Sequence, residues 1–171
     1  MNKRNKKYVL AYVSLVIAFV LQTTLFQNLK IFGISPSLIM VLAICFSIVN
    51  TPLPSVIFSA IAGLMLDISS GRIVGLNAMM MMYMSLGISC YIKEMFMDTP
   101  RSAVMITALA TFVYECIFCI LSFVIFGNGS FWYMIYRVIL LEVLYNGLVA
   151  FFIYFYTDKF LKIQVGQSLW D

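Results

Sequence analysis

Long apolar runs, separated by short polar segments, make up most of this chain of 171 residues. A helix needs about 20 mostly apolar residues to cross the hydrocarbon core of a bilayer. The pattern therefore predicts an all-α, polytopic integral membrane protein with about six transmembrane helices. We expect these spans at about residues 8–27, 37–50, 54–68, 76–92, 102–126 and 131–157.

The second and third apolar runs are short, and the segment Thr51-Pro52-Leu53-Pro54 joins them. Pro36 suits the first turn of the second helix, where a backbone N–H is not needed. Both runs could instead form a tight hairpin that does not cross the membrane fully. In that case four spans remain, and the number of spans stays even.

The composition agrees with a lipid environment. Hydrophobic residues make up 63% of the chain and charged residues 11%, whereas soluble domains have about 45–50% and about 25%. Six spans with short loops leave no room for a separate soluble domain, so we expect residues 1–171 to form one transmembrane domain.

The basic residues predict the orientation of the spans. Eight of the eleven lie in segments that are cytoplasmic if the amino terminus is inside, and two lie in external loops. This positive-inside bias is typical of multi-pass membrane proteins, and it places both termini in the cytoplasm. The net charge of +4 favours contact with anionic membrane lipids. It does not favour nucleic acid, because the basic residues form no surface that could follow a phosphate backbone.

Catalytic and cofactor-binding patterns are missing from the sequence. The chain has no histidine, which excludes Ser-His and Cys-His dyads and histidine metal ligands. The Cys116-x-x-Cys119 pair and the run Met79–Met82 lie in apolar surroundings, where both residue types normally serve packing. We therefore expect no enzyme activity, no metal and no cofactor.

Four charged residues lie in or near the apolar layer, namely Asp67, Glu115, Arg137 and Glu142. Each costs at least about 2.5 kcal/mol at the centre of a bilayer unless it has a partner. Arg137 is expected to pair with one of the three acids, and Glu142 shares a helical face with Asn146. Such a polar seam could fix the packing of spans five and six, meet another membrane protein, or conduct protons or a solute.

Three pairs of small residues recur at a spacing of four, which places each pair on one helix face. They are Ser59 with Gly63, Ser85 with Ser89, and Ala103 with Thr107. Small residues allow membrane helices to approach closely, so these faces are predicted to be helix contacts.

The stretch between the third and fourth spans is the most informative part of the sequence. An apolar run ends at Asp67, a turn contains Gly71 and Gly75, and the next run begins near Asn77. The glycines permit backbone conformations that other residues avoid. Asp67 can accept hydrogen bonds from exposed backbone amides, and Asn77 or Ser70 could cap the following helix.

This order, Gly63-Leu-Met-Leu-Asp67 followed by Gly71 and Gly75-Leu-Asn77-Ala, resembles the signature of the rod shape-determining protein MreD family. The upstream segment Phe32–Leu38 is similar to the one that opens the family's second span, whereas the family more often has a glycine-containing turn at Thr51–Pro54. The resemblance implies a non-enzymatic membrane scaffold that binds MreC. It also implies indirect partners: MreB, RodA and a class B penicillin-binding protein.

The resemblance also implies an alternative function. The family is similar in fold to the substrate-capturing subunits of energy-coupling-factor vitamin transporters. A capture subunit needs a pocket with convergent polar groups, whereas a scaffold needs a contact surface at the level of the lipid. Asp67, Gly71, Gly75, Asn77, Glu115, Arg137 and Glu142 are the candidate structural or partner-binding residues.

Overall fold

The computed structural model describes residues 3–24, 36–70, 75–92, 99–126 and 139–162. These residues form six helices and no strand, which confirms the all-α class. The helices are α1 (Lys3–Thr24), α2 (Leu38–Val49), α3 (Pro52–Ser70), α4 (Leu76–Gly87), α5 (Pro100–Phe126) and α6 (Leu140–Tyr156). Two π-helical turns, Ile88–Ile92 and Thr157–Leu161, continue α4 and α6.

Four of these helices are long and apolar enough to cross a membrane. They are α1, α3, α5 and α6, and their length and apolar composition indicate a membrane protein. Helices α2 and α4 have only 12 residues each. About six full spans were predicted, and four of the six helices are long enough to cross the membrane.

The third apolar run is short in the sequence, but helix α3 is long because it begins within the connection from α2. Helix α3 has 19 residues and begins at Pro52, before the apolar run itself. The first N–H groups of a helix have no intrahelical acceptor, so Pro52 and Pro54 sacrifice no hydrogen bond there. Pro36, in contrast, precedes the N-cap Ser37 of α2, so the expectation that it lies in the first turn is wrong.

Helix α2 lies at the centre of the bundle. It contacts each of the five other helices, and every residue from Ile39 to Val49 is buried. A helix that is surrounded by protein on all sides needs an apolar surface all the way round. The apolar sequence of α2, interrupted by Ser47 alone, therefore reflects its central position in the bundle.

Helices α1 to α4 run alternately in opposite directions, and the end of α3 at Asp67 contacts the start of α4 at Asn77. Gln22, near the end of α1, contacts the start of α2 at Ile39, and two residues join α2 to α3. The two described chain ends also meet, because the Lys7 ammonium donates a hydrogen bond to the Lys162 carbonyl. Both ends of the described chain therefore lie at the same end of the bundle.

The small-residue faces form helix contacts, as the spacing predicted. All six residues of the three pairs are buried. Gly63 in α3 packs against the backbone of α4, where a Cβ atom on Gly63 would lie 2.4 Å from the Ala78 Cα. The hydroxyls of Ser47 and Ser85 join α2 to α4 with a hydrogen bond of 2.7 Å.

The contact at Gly63 predicts that Gly63→Ala destabilises the bundle. The added methyl group would push α3 away from the α4 backbone, which typically costs about 1–3 kcal/mol. Gly87→Ala is the matched control, because no heavy atom lies within 4 Å of its Cβ position. Thermal unfolding in detergent should show a lower midpoint for Gly63→Ala than for Gly87→Ala. Equal midpoints would contradict the close approach.

Candidate functional site

The start of α4 depends on a carboxylate from α3. The first intrahelical hydrogen bond of α4 runs from the Met79 N–H to the Gly75 carbonyl, so the preceding N–H groups need other acceptors. The Asp67 carboxylate accepts three of them, from Gly75 at 2.8 Å, Asn77 at 3.1 Å and Ala78 at 3.2 Å. Asp67 is 1% exposed, and the positive end of the α4 dipole also stabilises its negative charge.

This geometry tests the expectations for the turn. That Asp67 accepts bonds from backbone amides is confirmed. That Asn77 or Ser70 caps α4 is wrong, because the N-cap is Gly75. Gly75 has φ +98°, a left-handed conformation that favours glycine. It directs the N–H groups of the first turn towards α3.

A buried tyrosine links this cap to α5. The Tyr114 hydroxyl donates a hydrogen bond to the Asn77 side-chain oxygen, and both residues are buried. Asn77 therefore serves two helices, since its backbone N–H binds Asp67 and its side chain binds Tyr114. The result is one network that joins α3, α4 and α5.

The start of α2 is capped in the same way by other helices. The Ser37 N–H donates to the Asn146 side-chain oxygen at 2.9 Å, and the Ile39 N–H donates to the Gln22 side-chain oxygen at 3.0 Å. The Asn146 amide also donates to the Thr111 hydroxyl at 3.4 Å. This second network joins α1, α2, α5 and α6.

Both networks lie near the middle of the bundle's height. At 1.5 Å per residue, Thr111 and Tyr114 lie about 17 Å and 21 Å from the start of α5, which is about 40 Å long. Helices α2 and α4 therefore begin at the level of the middle of α5. We call this level the polar layer, and it comprises Gln22, Asp67, Asn77, Thr111, Tyr114 and Asn146.

Two further carboxylates lie near this layer. Glu115 follows Tyr114 on α5, and Glu142 lies one turn before Asn146 on α6. Both are partly buried, and they are close enough for their charges to interact. Gly71 and Arg137 lie outside the described residues, so the expected ion pair of Arg137 stays a prediction.

The chemistry available to the polar layer is hydrogen bonding. Within the described ranges, no group of three or more His, Cys, Asp or Glu side chains is placed to hold a metal ion. The oxygens of Asp67, Asn77 and Asn146 accept N–H and O–H groups of neighbouring helices. These bonds fix helix positions.

The family model of the rod shape-determining protein MreD matches residues 3–164, a range that includes all six helices. The chain belongs to the MreD family. The resemblance seen in the turn around Asp67 is thereby confirmed. Membership implies a role in rod shape determination, and MreD proteins are membrane proteins that are not known as enzymes.

The other comparisons add no relative. Neither the search of curated proteins nor the search of solved structures found a match. The likeness of the fold to energy-coupling-factor capture subunits therefore stays a prediction.

Sequence reasoning missed half of the polar layer. Asp67, Asn77 and Asn146 had drawn attention as polar residues beside apolar runs, whereas Gln22, Thr111 and Tyr114 had not been assigned partners. A polar residue inside an apolar run is the available signal, because a group buried in lipid needs a hydrogen-bond partner. The identity of that partner follows only from the packing.

Removal of the Asp67 carboxylate should destabilise the protein. Asp67→Ala would leave three N–H groups, one buried and two partly buried, without their acceptor, and an unsatisfied buried group costs about 1–3 kcal/mol. Asp67→Asn keeps one acceptor oxygen and should cost less.

Asp158→Ala is the control, because it removes only the exposed ion pair with Lys162, for which a cost of about 0–1 kcal/mol is expected. Unfolding midpoints in detergent should rank wild type and Asp158→Ala above Asp67→Asn, and Asp67→Ala lowest. A midpoint for Asp67→Ala equal to the control would refute the cap.

Proposed function

We propose that this chain is a non-enzymatic membrane scaffold of the bacterial wall-elongation machinery. It binds MreC and, through MreC, supports the wall synthases, so that MreB, RodA and a class B penicillin-binding protein are indirect partners. The observation that carries this proposal is the MreD family match over residues 3–164.

The internal architecture supports a scaffold. In a membrane, helices associate by close packing and interhelical hydrogen bonds, and the polar layer supplies bonds among all six helices. The outer faces remain apolar, as at Leu148 and Phe152 on α6, which are 67% and 72% exposed. A bundle of this kind can present a helix face of fixed shape to a partner helix.

The location of this scaffold is the bacterial inner membrane, with both termini in the cytoplasm. The positive-inside bias of the sequence supports this orientation. The hydrogen bond between Lys7 and the Lys162 carbonyl supports the placement of both ends on one side.

Reporter fusions can test this topology. Fusions after residues 6, 97 and 165 should report a cytoplasmic position, and fusions after residues 32, 72 and 129 an external one, because six consecutive spans cross the membrane in alternating directions from a cytoplasmic amino terminus. An external carboxyl terminus would refute the model. If α2 and α3 do not cross fully, four spans remain and these six fusions report the same sides. A fusion after residue 51, between α2 and α3, distinguishes the two arrangements, because it is cytoplasmic with six spans and external with four.

The turn at Asp67, Gly71, Gly75 and Asn77 is proposed to shape the surface that MreC meets. Gly75→Val should strain the turn, because Gly75 has φ +98°. An ordinary side chain in this left-handed conformation costs about 1–2 kcal/mol of conformational energy, and a β-branched side chain such as valine costs more. The strain is purely conformational, since no heavy atom lies within 4 Å of the Cβ position. Gly87→Val is the matched control, because its Cβ position is equally open and its backbone is helical.

The expected result is normal membrane insertion of both variants and reduced recovery of MreC with Gly75→Val alone. Pull-down from detergent-solubilised membranes, with quantification by mass spectrometry, measures the recovery of MreC.

Depletion of the wild-type chain should make rod-shaped cells widen or become round, and only the Gly87→Val variant should restore the rod shape fully. Undiminished MreC recovery with Gly75→Val would remove the turn from the binding mechanism. Saturable binding of a vitamin-like solute by the purified protein would favour the capture subunit instead.

A further inference from the structure

We propose that the basic cluster formed where the start of α1 meets the end of α6 binds the headgroup of an anionic phospholipid. We call this cluster the terminal basic patch, and it comprises Lys6, Lys7, Lys159 and Lys162. Its two pairs of lysines, one in α1 and one at the end of α6, lie more than 150 positions apart in the sequence, and the folded bundle brings the two segments together.

Packing at the end of α6 fixes the position of the patch. The π-helical turn Thr157–Leu161 contacts both α1 and α2, and Thr157 and Leu161 are fully buried. The Lys7 ammonium then donates to the Lys162 carbonyl, a favourable place for a cation because the last carbonyls of a helix carry partial negative charge. The two basic segments are therefore held side by side on one rigid surface.

The patch keeps an excess of positive charge. Asp158 is the acidic residue beside it within the described part of the chain, and it pairs with Lys162 at 3.3 Å. Lys6 and Lys159 are exposed. The Lys159 ammonium lies 5.3 Å from the centre of the Phe160 ring, which leaves its donors accessible to an anion.

Aromatic and apolar neighbours indicate that the anion is part of a lipid. The rings of Tyr156 and Phe160 lie 5.5 Å apart beside Lys159, tilted by 38°, and aromatic residues of this kind sit at the level of the lipid headgroups. On the side towards the membrane centre, Val9 of α1 and Phe155 of α6 are 53% and 52% exposed. A phosphodiester at the terminal basic patch would place its acyl chains along these apolar side chains, whereas a free phosphate has no acyl chains.

Lipid titration of the full-length protein in detergent tests this proposal. Native mass spectrometry would compare dioleoyl phosphatidylglycerol with dioleoyl phosphatidylcholine and measure the affinity for each. A basic residue near an anionic surface contributes about 1 kcal/mol, or about fivefold in affinity. We expect tighter binding of phosphatidylglycerol, and a loss of about tenfold or more in the double variant Lys6→Gln, Lys159→Gln. The variant Lys6→Arg, Lys159→Arg keeps both charges and should retain the affinity.

Arg101→Gln is the control for the net charge of the protein. Arg101 is exposed in the first turn of α5 and does not belong to the patch. Lys159→Gln should lower the affinity for phosphatidylglycerol about fivefold, and Arg101→Gln should leave it near the wild-type value. Equal losses in these two variants, or no loss in the double glutamine variant, would overturn the proposal. Competition by inorganic phosphate at the same concentration as the lipid would overturn it as well, because the site would then bind free phosphate.

Discussion

The N–H groups at the start of α2 and α4 must find acceptors in the interior of a membrane protein, and the rest of the bundle depends on this requirement. In lipid no water is present to bind such groups, and each one left unpaired costs several kcal/mol. Asp67 accepts the N–H groups of α4, and Asn146 and Gln22 accept those of α2. The two short helices are stable because other helices supply their caps.

Caps that come from other helices also fix how the helices pack. A residue that caps its own helix would leave the neighbours free to slide, whereas Asp67 holds α4 at one height against α3. Gly63 allows the close approach that brings the two helices into this register. Asn146 similarly sets α6 against both α2 and α5. Hydrogen bonds therefore determine the heights of the helices, and close packing determines their separation.

A bundle with this interior suits a protein that acts by binding. Membership of the MreD family assigns it to rod shape determination. The hydrogen-bonding groups of the polar layer are used to hold helices together, and the apolar outer faces are available to lipid and to other helices. The basic end, where α1 meets α6, adds a surface for the charged boundary of the membrane. Each of these surfaces is supported by the same internal network.

The sequence by itself determined the class of the protein, the positions of its apolar helices and its family. Hydropathy is a local property of the chain, and the turn around Asp67 carries its pattern within about fifteen residues. The role of Asp67 as an acceptor also follows locally, because a carboxylate at the end of an apolar run precedes the exposed amides of the next helix. The tertiary structure alone decided that α2 is central, that Asn146 and Gln22 cap it, and that Tyr114 binds Asn77. These pairs join residues that are 17 to 109 positions apart, so only the packing of whole helices could bring them within hydrogen-bonding distance.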